Sequence, residues 1–191
     1  RAYEKAGFVR TPATPEQIKA EWGGVDSEDS VLMIRNERDT MDIEIRLLSQ
    51  GDADVLLNVA PGTFDDPIDM RATREFLNDA HHHLAVAVDD GVVVGFISAV
   101  HYLHPDKPRP ELWINEVGVA PTHRGRGLGK AILDRILKEG RHLGCSEAWV
   151  LTEVDNIAAM RLYASLGGVE GPHDGVMFTF TLDADCEKRN Q

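Results

Sequence analysis

The chain has 191 residues, of which 42% are hydrophobic and 27% charged, and it carries a formal net charge of -12 at pH 7. This acidic balance argues against nucleic acid or an anionic membrane as a partner, and it permits a cationic substrate. The length predicts one globular domain with an appendage, and no apolar run approaches the roughly 18 residues that a membrane-spanning helix needs.

Cysteine usage and the first residues bear on the cellular compartment. The two cysteines, Cys145 and Cys186, have a spacing that suits neither a metal site nor a disulfide framework. The first residues show no signal-peptide pattern. A reducing cytoplasm is therefore the expected location.

Residues 1–40 differ in pattern from residues 41–191. Two stretches of the first segment echo stretches near the end of the chain: RAYEKAGF and RLYASLGG (1–8, 161–168), SVLMIRN and VMFTFTLD (30–36, 176–183). The echo predicts that residues 1–40 are the C-terminal remnant of a related upstream domain, and that 41–191 form a complete domain. The alternative is a chance helix that ends in a glycine cap.

From Met41 onward the hydrophobic periodicity alternates between the strand and helix types. Strands are predicted over 42–48, 83–88, 92–103, 111–119, 147–152 and 176–182. Helices are predicted near 52–60 and 71–79, within 124–143, and over 156–167. The order β-α-α-β-β-β-α-β-α-β predicts an α+β fold, with a mixed, mostly antiparallel sheet and helices on both faces.

A glycine-rich, basic turn precedes the third predicted helix. Its sequence is PTHRGRGLGK, over 121–130. The spacing fits neither a Walker loop nor the dinucleotide fingerprint. Glycines at a helix N-terminus let the backbone approach an anion such as pyrophosphate, because the first amides of the helix lack partners there. The alternative is a glycine cap on an ordinary core helix.

The motif Arg124-x-x-Gly127-x-Gly129 resembles the acetyl-coenzyme A signature of the GNAT N-acetyltransferases. The resemblance extends over 42–183 and includes Asn156 and Tyr163 in the next helix. It implies the GNAT fold, acetyl-CoA as cofactor and a small cationic amine as substrate. It indicates no nucleic acid or membrane partner and leaves homodimerisation open.

Finer resemblances point to antibiotic modification. The stretches HPDKPRPELWINEVGV (104–119) and FDDP (64–67) are most similar to the aminoglycoside 3-N-acetyltransferases that modify gentamicin-type antibiotics. The stretch RAYEKAGF resembles the end of aminoglycoside 6'-N-acetyltransferases. Together they imply that an aminoglycoside amine is acetylated, which confers resistance. A protein lacking residues 1–40 is then expected to retain acetyl transfer.

The resemblance also implies roles for individual residues. Glu116 would be the general base and Tyr163 the general acid, although an exposed strand carboxylate and a core tyrosine are the alternatives. The backbone N–H of Val117 or Val119, freed by a strand bulge, would bind the thioester carbonyl. Asn156 would contact the pantetheine arm, cap its helix, or do both. The pyrophosphate would contact the turn, at Arg124, Gly125, Arg126, Gly127, Gly129 and Lys130.

Acidic residues near the acceptor region are candidates for binding the amine. They are Asp65, Asp66, Glu153 and Asp155, each of which could instead be a solvated loop carboxylate. Glu111 and Trp113 have no assigned role.

Histidines form a run at 81–83 that invites a metal interpretation. Consecutive residues of an extended segment point to opposite faces and chelate one ion poorly, so no metal site is predicted. His101 and His104 are placed at a loop entrance, where they could touch substrate.

Three functions remain open at this stage. The first is an aminoglycoside acetyltransferase, and the second is an acetyltransferase for a polyamine, a small-metabolite amine or a protein N-terminus. The third is an acetyl-CoA-binding sensor or interaction module. Glu116 and Tyr163 argue against the third, because a pure binding module needs neither.

Overall fold

The computed structural model describes residues 8–12, 31–35, 43–171 and 177. The strands are β1 Phe8–Pro12, β2 Val31–Arg35, β3 Glu44–Leu48, β4 His82–Asp89, β5 Val92–Tyr102, β6 Glu111–Val119 and β7 Ala148–Val150. The α-helices are α1 Met70–Asn78, α2 Leu128–His142 and α3 Ile157–Ala164, and the 3-10 helices are η1 Ala53–Leu57 and η2 Pro121–His123. No helix among these residues is long and apolar enough to cross a membrane.

The main sheet has five strands in the order β3-β4-β5-β6-β7. Neighbouring strands are antiparallel except β6 and β7, which are parallel. The β4–β5 hairpin turns at Asp90 and Gly91, whose φ angles of 47° and 76° suit a tight primed turn. The predicted α+β class with a mixed, mostly antiparallel sheet is confirmed.

Side chains of the central strands alternate between two hydrophobic clusters, one on each face of the sheet. Leu84, Val86 and Phe96 face the cluster that α1 and η1 cover. Their neighbours Ala85 and Ile97 face the cluster that α2 covers, and α3 packs there too. The predicted helices on both faces of the sheet are therefore present.

The helix predicted near 52–60 is the short 3-10 helix η1. Val55 N–H donates to the carbonyl of Asp52, 3.0 Å away, which is the three-residue spacing of a tighter helix. The chain then extends, because Ala60 N–H and Asn58 C=O both bond to the backbone of Val93 at 2.9 Å. Pairing with the sheet therefore ends the helix early.

Other boundaries shift by a few residues. Helix α2 begins at Leu128, after the glycine turn, and β7 is limited to Ala148–Val150. His101 is the penultimate residue of β5, next to the loop between β5 and β6. The strand predicted over 176–182 lies outside the described residues, apart from Met177.

The N-terminal segment contributes a separate two-stranded sheet. Strand β2 lies within the stretch SVLMIRN, and its antiparallel partner is β1. The remaining residues of 1–40 lie outside the described part of the chain. The interpretation of 1–40 as a domain remnant stays a prediction.

Candidate active site

Strand β6 carries a bulge at the centre of the candidate site. Ser98 of β5 pairs with Glu116, whereas the next residue, Ala99, pairs with Ile114, so Asn115 is an extra residue on β6. A bulge exchanges the directions of the side chains and amides that follow it. The bulge places Glu116 on the same sheet face as Trp113. In a regular strand these two residues, three positions apart, would point to opposite faces.

Beyond the bulge, β6 continues without a described pairing partner on its β7 side, and the opening beside this part of β6 is here called the wedge. The described pairing with β7 ends at Ile114 and Val150, while β6 continues to Val119 along β5. Ala120 N–H donates to Val94 C=O of β5 at 2.9 Å. Successive N–H groups of a strand point to alternate sides, so the N–H groups of Val119 and Val117 point away from β5. Their N–H groups therefore point into the wedge.

The glycine turn joins this wedge to α2. Arg124 Nε donates to the carbonyl of Val119 at 3.0 Å, which fixes the turn to the end of β6. Gly127 precedes the helix with a φ of 81°, a value that glycine adopts without strain. Gly125, two residues earlier, has a φ of 76°. Ala131 N–H makes the first helical bond to Gly127 C=O, so the amides before it point outward.

The last described helix borders the same wedge. A Cβ on Gly129 would lie 3.4 Å from Leu162, so the first turn of α2 packs against α3. Burial raises the pKa of Tyr163, the next residue, and its phenol holds a proton at neutral pH. The Asn156 side chain accepts from Ala159 N–H at 3.2 Å and caps α3, which is the second of its two predicted roles.

The residues of the wedge fit acetyl-CoA. Outward-pointing amides and the helix dipole at the start of α2 suit its pyrophosphate, and the basic residues of the turn add positive charge. Arg126 and Lys130 flank these amides in sequence. The amides of Val117 and Val119 offer hydrogen bonds along the wedge, where an extended arm would lie.

A cleft of about 650 Å³ opens on the α1 face of the sheet, beside Glu116. Four carboxylates line it, and the described residues of its wall include no lysine, arginine or histidine; the carboxylates are Asp65, Asp66, Asp69 and Glu116. The remaining wall is apolar or neutral and includes Phe64, Phe96 and Trp113. This cleft favours a cation that also presents apolar surface.

The loop that carries Asp65 and Asp66 lies against β6 because Gly118 has no side chain. A Cβ on Gly118 would collide with the carbonyl oxygen of Thr63 and come within 2.5 Å of Phe96 Cε1. The Phe64 ring stacks on Phe96 with centroids 3.7 Å apart. The structure thus brings Asp65 and Asp66 to the cleft that contains Glu116. A second cleft of about 500 Å³ adjoins it along the same loop.

Glu153 and Asp155 are not brought to either cleft. Both are exposed in the turn before α3, where the carbonyl of Glu153 accepts from Asn156 N–H at 3.1 Å. Strand β7 ends at Val150, so these residues lie beyond the sheet and not at its edge. No described contact connects them with the carboxylates of the cleft.

A buried carboxylate anchors the loop between β5 and β6. Glu111 is 4% exposed and accepts hydrogen bonds from Lys107 Nζ and, at 3.1 Å, from Tyr102 Oη. The Lys107 ammonium holds the pKa of Glu111 at about 2, well below its usual range, although burial opposes the shift. His104 Nε2 lies 3.3 Å from the same carboxylate, so His104 serves the loop and not the cleft.

The histidine run does not converge on one point. His83 is buried and bonds through Nε2 to His101 Nδ1 at 2.8 Å, whereas His82 stacks on Phe76. Burial first, and then the neighbouring His101, lower the pKa of His83 to about 4, so it is uncharged at pH 7. His81 bonds to Asp79 at 2.9 Å. Within the described residues no cluster of ligands suits a metal ion.

The structure adds two candidate functional residues to the cleft, Asp69 and Trp113, neither of which has a role in the sequence analysis. Asp69 caps α1 by accepting from Arg71 N–H and Ala72 N–H at 2.8 and 3.1 Å, which lowers its pKa and keeps it charged. An Asp before a predicted helix is a capping signal that could have located it. Trp113 faces the cleft together with Glu116 only because of the bulge.

Comparisons with known proteins identify the family. The model of the acetyltransferase (GNAT) family matches residues 54–167. The N-alpha-acetyltransferase RimI of Mycobacterium tuberculosis is 30% identical over 131 residues, which cover 68% of this chain and 80% of that protein. N-acetyltransferase family 8 member 2 of Rattus norvegicus is 32% identical over 95 residues. That match covers 50% of this chain and only 42% of the rat protein.

Solved structures agree on the fold. An aminoglycoside acetyltransferase from an uncultured soil metagenomic sample, in complex with trehalose, superposes with a TM-score of 0.62 and 18% identity. The superposition covers 74% of this chain and 97% of that one. Aminoglycoside N-acetyltransferase AAC(6')-Iy in complex with CoA has a TM-score of 0.57 and 24% identity, over 74% of this chain and 95% of that one. The family uses acetyl-CoA, and this chain belongs to the GNAT acetyltransferase family.

Proposed function

We propose that the protein is an acetyl-CoA-dependent N-acetyltransferase that acetylates an amine of an aminoglycoside, at the 3-N position, and so confers resistance. The observation that carries the proposal is the cleft beside Glu116, where four carboxylates and no described basic side chain meet an apolar wall. An aminoglycoside combines several ammonium groups with the apolar faces of its rings, and it matches both properties of this wall.

Acetyl-CoA and the acceptor would bind on opposite faces of the sheet. The turn and the start of α2 would hold the pyrophosphate, and the amides of Val117 and Val119 would hold the arm and the carbonyl oxygen. Asp65, Asp66 and Asp69 would attract the cationic acceptor from the other face. Bound acetyl-CoA supplies an activated acetyl group, which the amine attacks directly in a ternary complex.

Glu116 would act as the general base. An aliphatic amine with a pKa of about 10 is mostly protonated at pH 7, and only its neutral form is a nucleophile. Glu116 is exposed to the cleft and lies next to the bulge, so its carboxylate can take a proton from an amine that has entered there, directly or through a water.

Tyr163 would donate a proton to the sulfur of the leaving group. Its phenol is protonated at neutral pH at its ordinary pKa, and burial raises this pKa further. We expect Tyr163→Phe to lower kcat by roughly 100-fold, the low end of general acid–base effects, with an unchanged KM for the acceptor. Steady-state kinetics of coenzyme A release measure both constants. A kcat within twofold of the wild type would show that Tyr163 is not the general acid and only packs in the core.

The kinship with RimI favours a second candidate, the N-terminal amine of a protein, because that relative is matched over most of its length. A panel of acceptors separates the two. We expect kcat/KM for sisomicin or gentamicin to exceed that for spermidine and for a peptide with a free N-terminus by at least tenfold. A peptide that is the best substrate would reject the aminoglycoside proposal and support the second candidate.

A further inference from the structure

Two indole rings stack on each other at one end of the cleft beside Glu116, which we call the acceptor cleft. Trp113 of β6 and Trp149 of β7 are cross-strand partners. Their ring centroids are 5.0 Å apart, the planes differ by 5°, and the residues are 39% and 37% exposed. Large aromatic side chains that stay this exposed in a fixed geometry are characteristic of binding surfaces.

Trp113 is the ring that faces the cleft. It lines the cleft wall together with Glu116, whereas Trp149 does not line the cleft and stacks on one face of Trp113. The β5 partners of Trp113 and Glu116 are Val100 and Ser98, which are two residues apart on one face. The two functional residues are therefore separated by about 7 Å along the sheet, close to the width of one sugar ring.

A chain of hydrogen bonds from Trp149 to Glu111 holds the indole pair in position. Trp149 Nε1 donates to Tyr102 Oη at 2.7 Å, and Tyr102 Oη donates to Glu111 Oε2 at 3.1 Å. Glu111 is buried and also bonded to Lys107, so the chain ends on a charged group that cannot easily move. A network of this kind holds a surface ring in one orientation, which lowers the entropy lost when a ligand stacks on it.

We infer that Trp113 is a binding platform on which a ring of the acceptor stacks while an amine of that ring reaches Glu116, and that Trp149, Tyr102 and Glu111 are positioning residues for it. The inference rests on the proposed function and narrows it to acceptors whose reacting amine is carried on a ring. The indole face attracts both the apolar C–H groups of an amino sugar and its adjacent ammonium. A linear polyamine has no ring to stack.

The test compares sisomicin, which carries ring amines, with spermidine, used as an acceptor or as a competitive inhibitor. We expect Trp113→Leu to raise the KM for sisomicin about tenfold with kcat kept within about threefold. Trp113→Phe should restore most of the affinity, and the constant for spermidine should change less than twofold. Trp149→Leu and Glu111→Gln should raise the KM for sisomicin by a smaller factor.

Fluorescence gives a readout that does not depend on turnover. The chain has three tryptophans, so Trp22→Phe leaves only the indole pair, and it also serves as the control variant with an unchanged KM. Sisomicin should quench this emission with a Kd that follows its KM, and the response should disappear when Trp113→Phe is added.

The outcomes separate the two claims. Equal changes for sisomicin and spermidine, or none for either, would overturn the platform while leaving the enzyme an aminoglycoside acetyltransferase. A wild-type protein that acetylates a peptide N-terminus but no aminoglycoside would overturn the proposed function, and with it the platform, before any variant is made.

Discussion

Replacing Glu116 with Gln is expected to lower kcat at pH 7 by roughly 10²- to 10⁴-fold, the range found when a general base is lost. The amide keeps the size of the side chain and its place in the cleft, so the bulge and the wall beside it are preserved. Only the capacity to take a proton disappears. Steady-state coenzyme A release, measured with an aminoglycoside acceptor, gives kcat and KM separately.

The pH dependence distinguishes loss of a base from loss of an attractive charge. As the pH rises above about 9, a growing fraction of the amine is already neutral, and the variant should recover towards the wild type. A loss of charge alone would raise KM and leave kcat. Glu75→Gln, a control on the exposed side of α1, should behave as the wild type. A kcat ratio of Glu116→Gln to wild type that stays constant between pH 7 and pH 10 would contradict the assignment.

Gly118→Ala is expected to be the most damaging single methyl group in the described structure. The added Cβ would collide with the carbonyl of Thr63, a backbone atom that can yield only if the whole loop moves, and with the ring of Phe96. Overpacking of this kind costs about 3 kcal/mol, which in a chain of this size lowers the Tm by roughly 6–12 °C.

Activity should fall together with stability in this variant. The loop that the added methyl group would displace is the one that places Asp65 and Asp66 at the cleft wall. We expect a higher KM for the cationic acceptor and an unchanged KM for acetyl-CoA, measured below the Tm. Gly171→Ala is the matched control, since a Cβ there meets nothing within 4 Å. A Tm for Gly118→Ala within 2 °C of the wild type would show that the loop adapts and that the close approach is not required.

The order of the elements and the cofactor turn could be predicted from the sequence because both depend on local patterns. Short apolar runs bounded by turn residues define β4, β5 and β6, and glycines before an amphipathic segment define the start of α2. The helix near 52–60 could not be predicted correctly. Its end is set by pairing of residues 58–60 with Val93, a contact between segments more than 30 residues apart.

The cleft beside Glu116 could be predicted only in part. The loop carboxylates Asp65 and Asp66 were expected at the acceptor and line the cleft, whereas Glu153 and Asp155 were expected there and lie in an exposed turn. The difference arises because β7 ends earlier than its sequence pattern indicates. Trp113 and Glu116 would lie on opposite faces in a regular strand, and only the extra residue at Asn115 brings them together.

The most direct measurement is release of coenzyme A by the purified chain from acetyl-CoA, with sisomicin present and with no acceptor. An aminoglycoside acetyltransferase should release coenzyme A rapidly only when sisomicin is present, and the mass of the antibiotic should increase by one acetyl group. Tight binding of acetyl-CoA without release for sisomicin, gentamicin, kanamycin, spermidine or a peptide amine would contradict the proposed function. The protein would then act on an acceptor outside this set or serve as an acetyl-CoA-binding module.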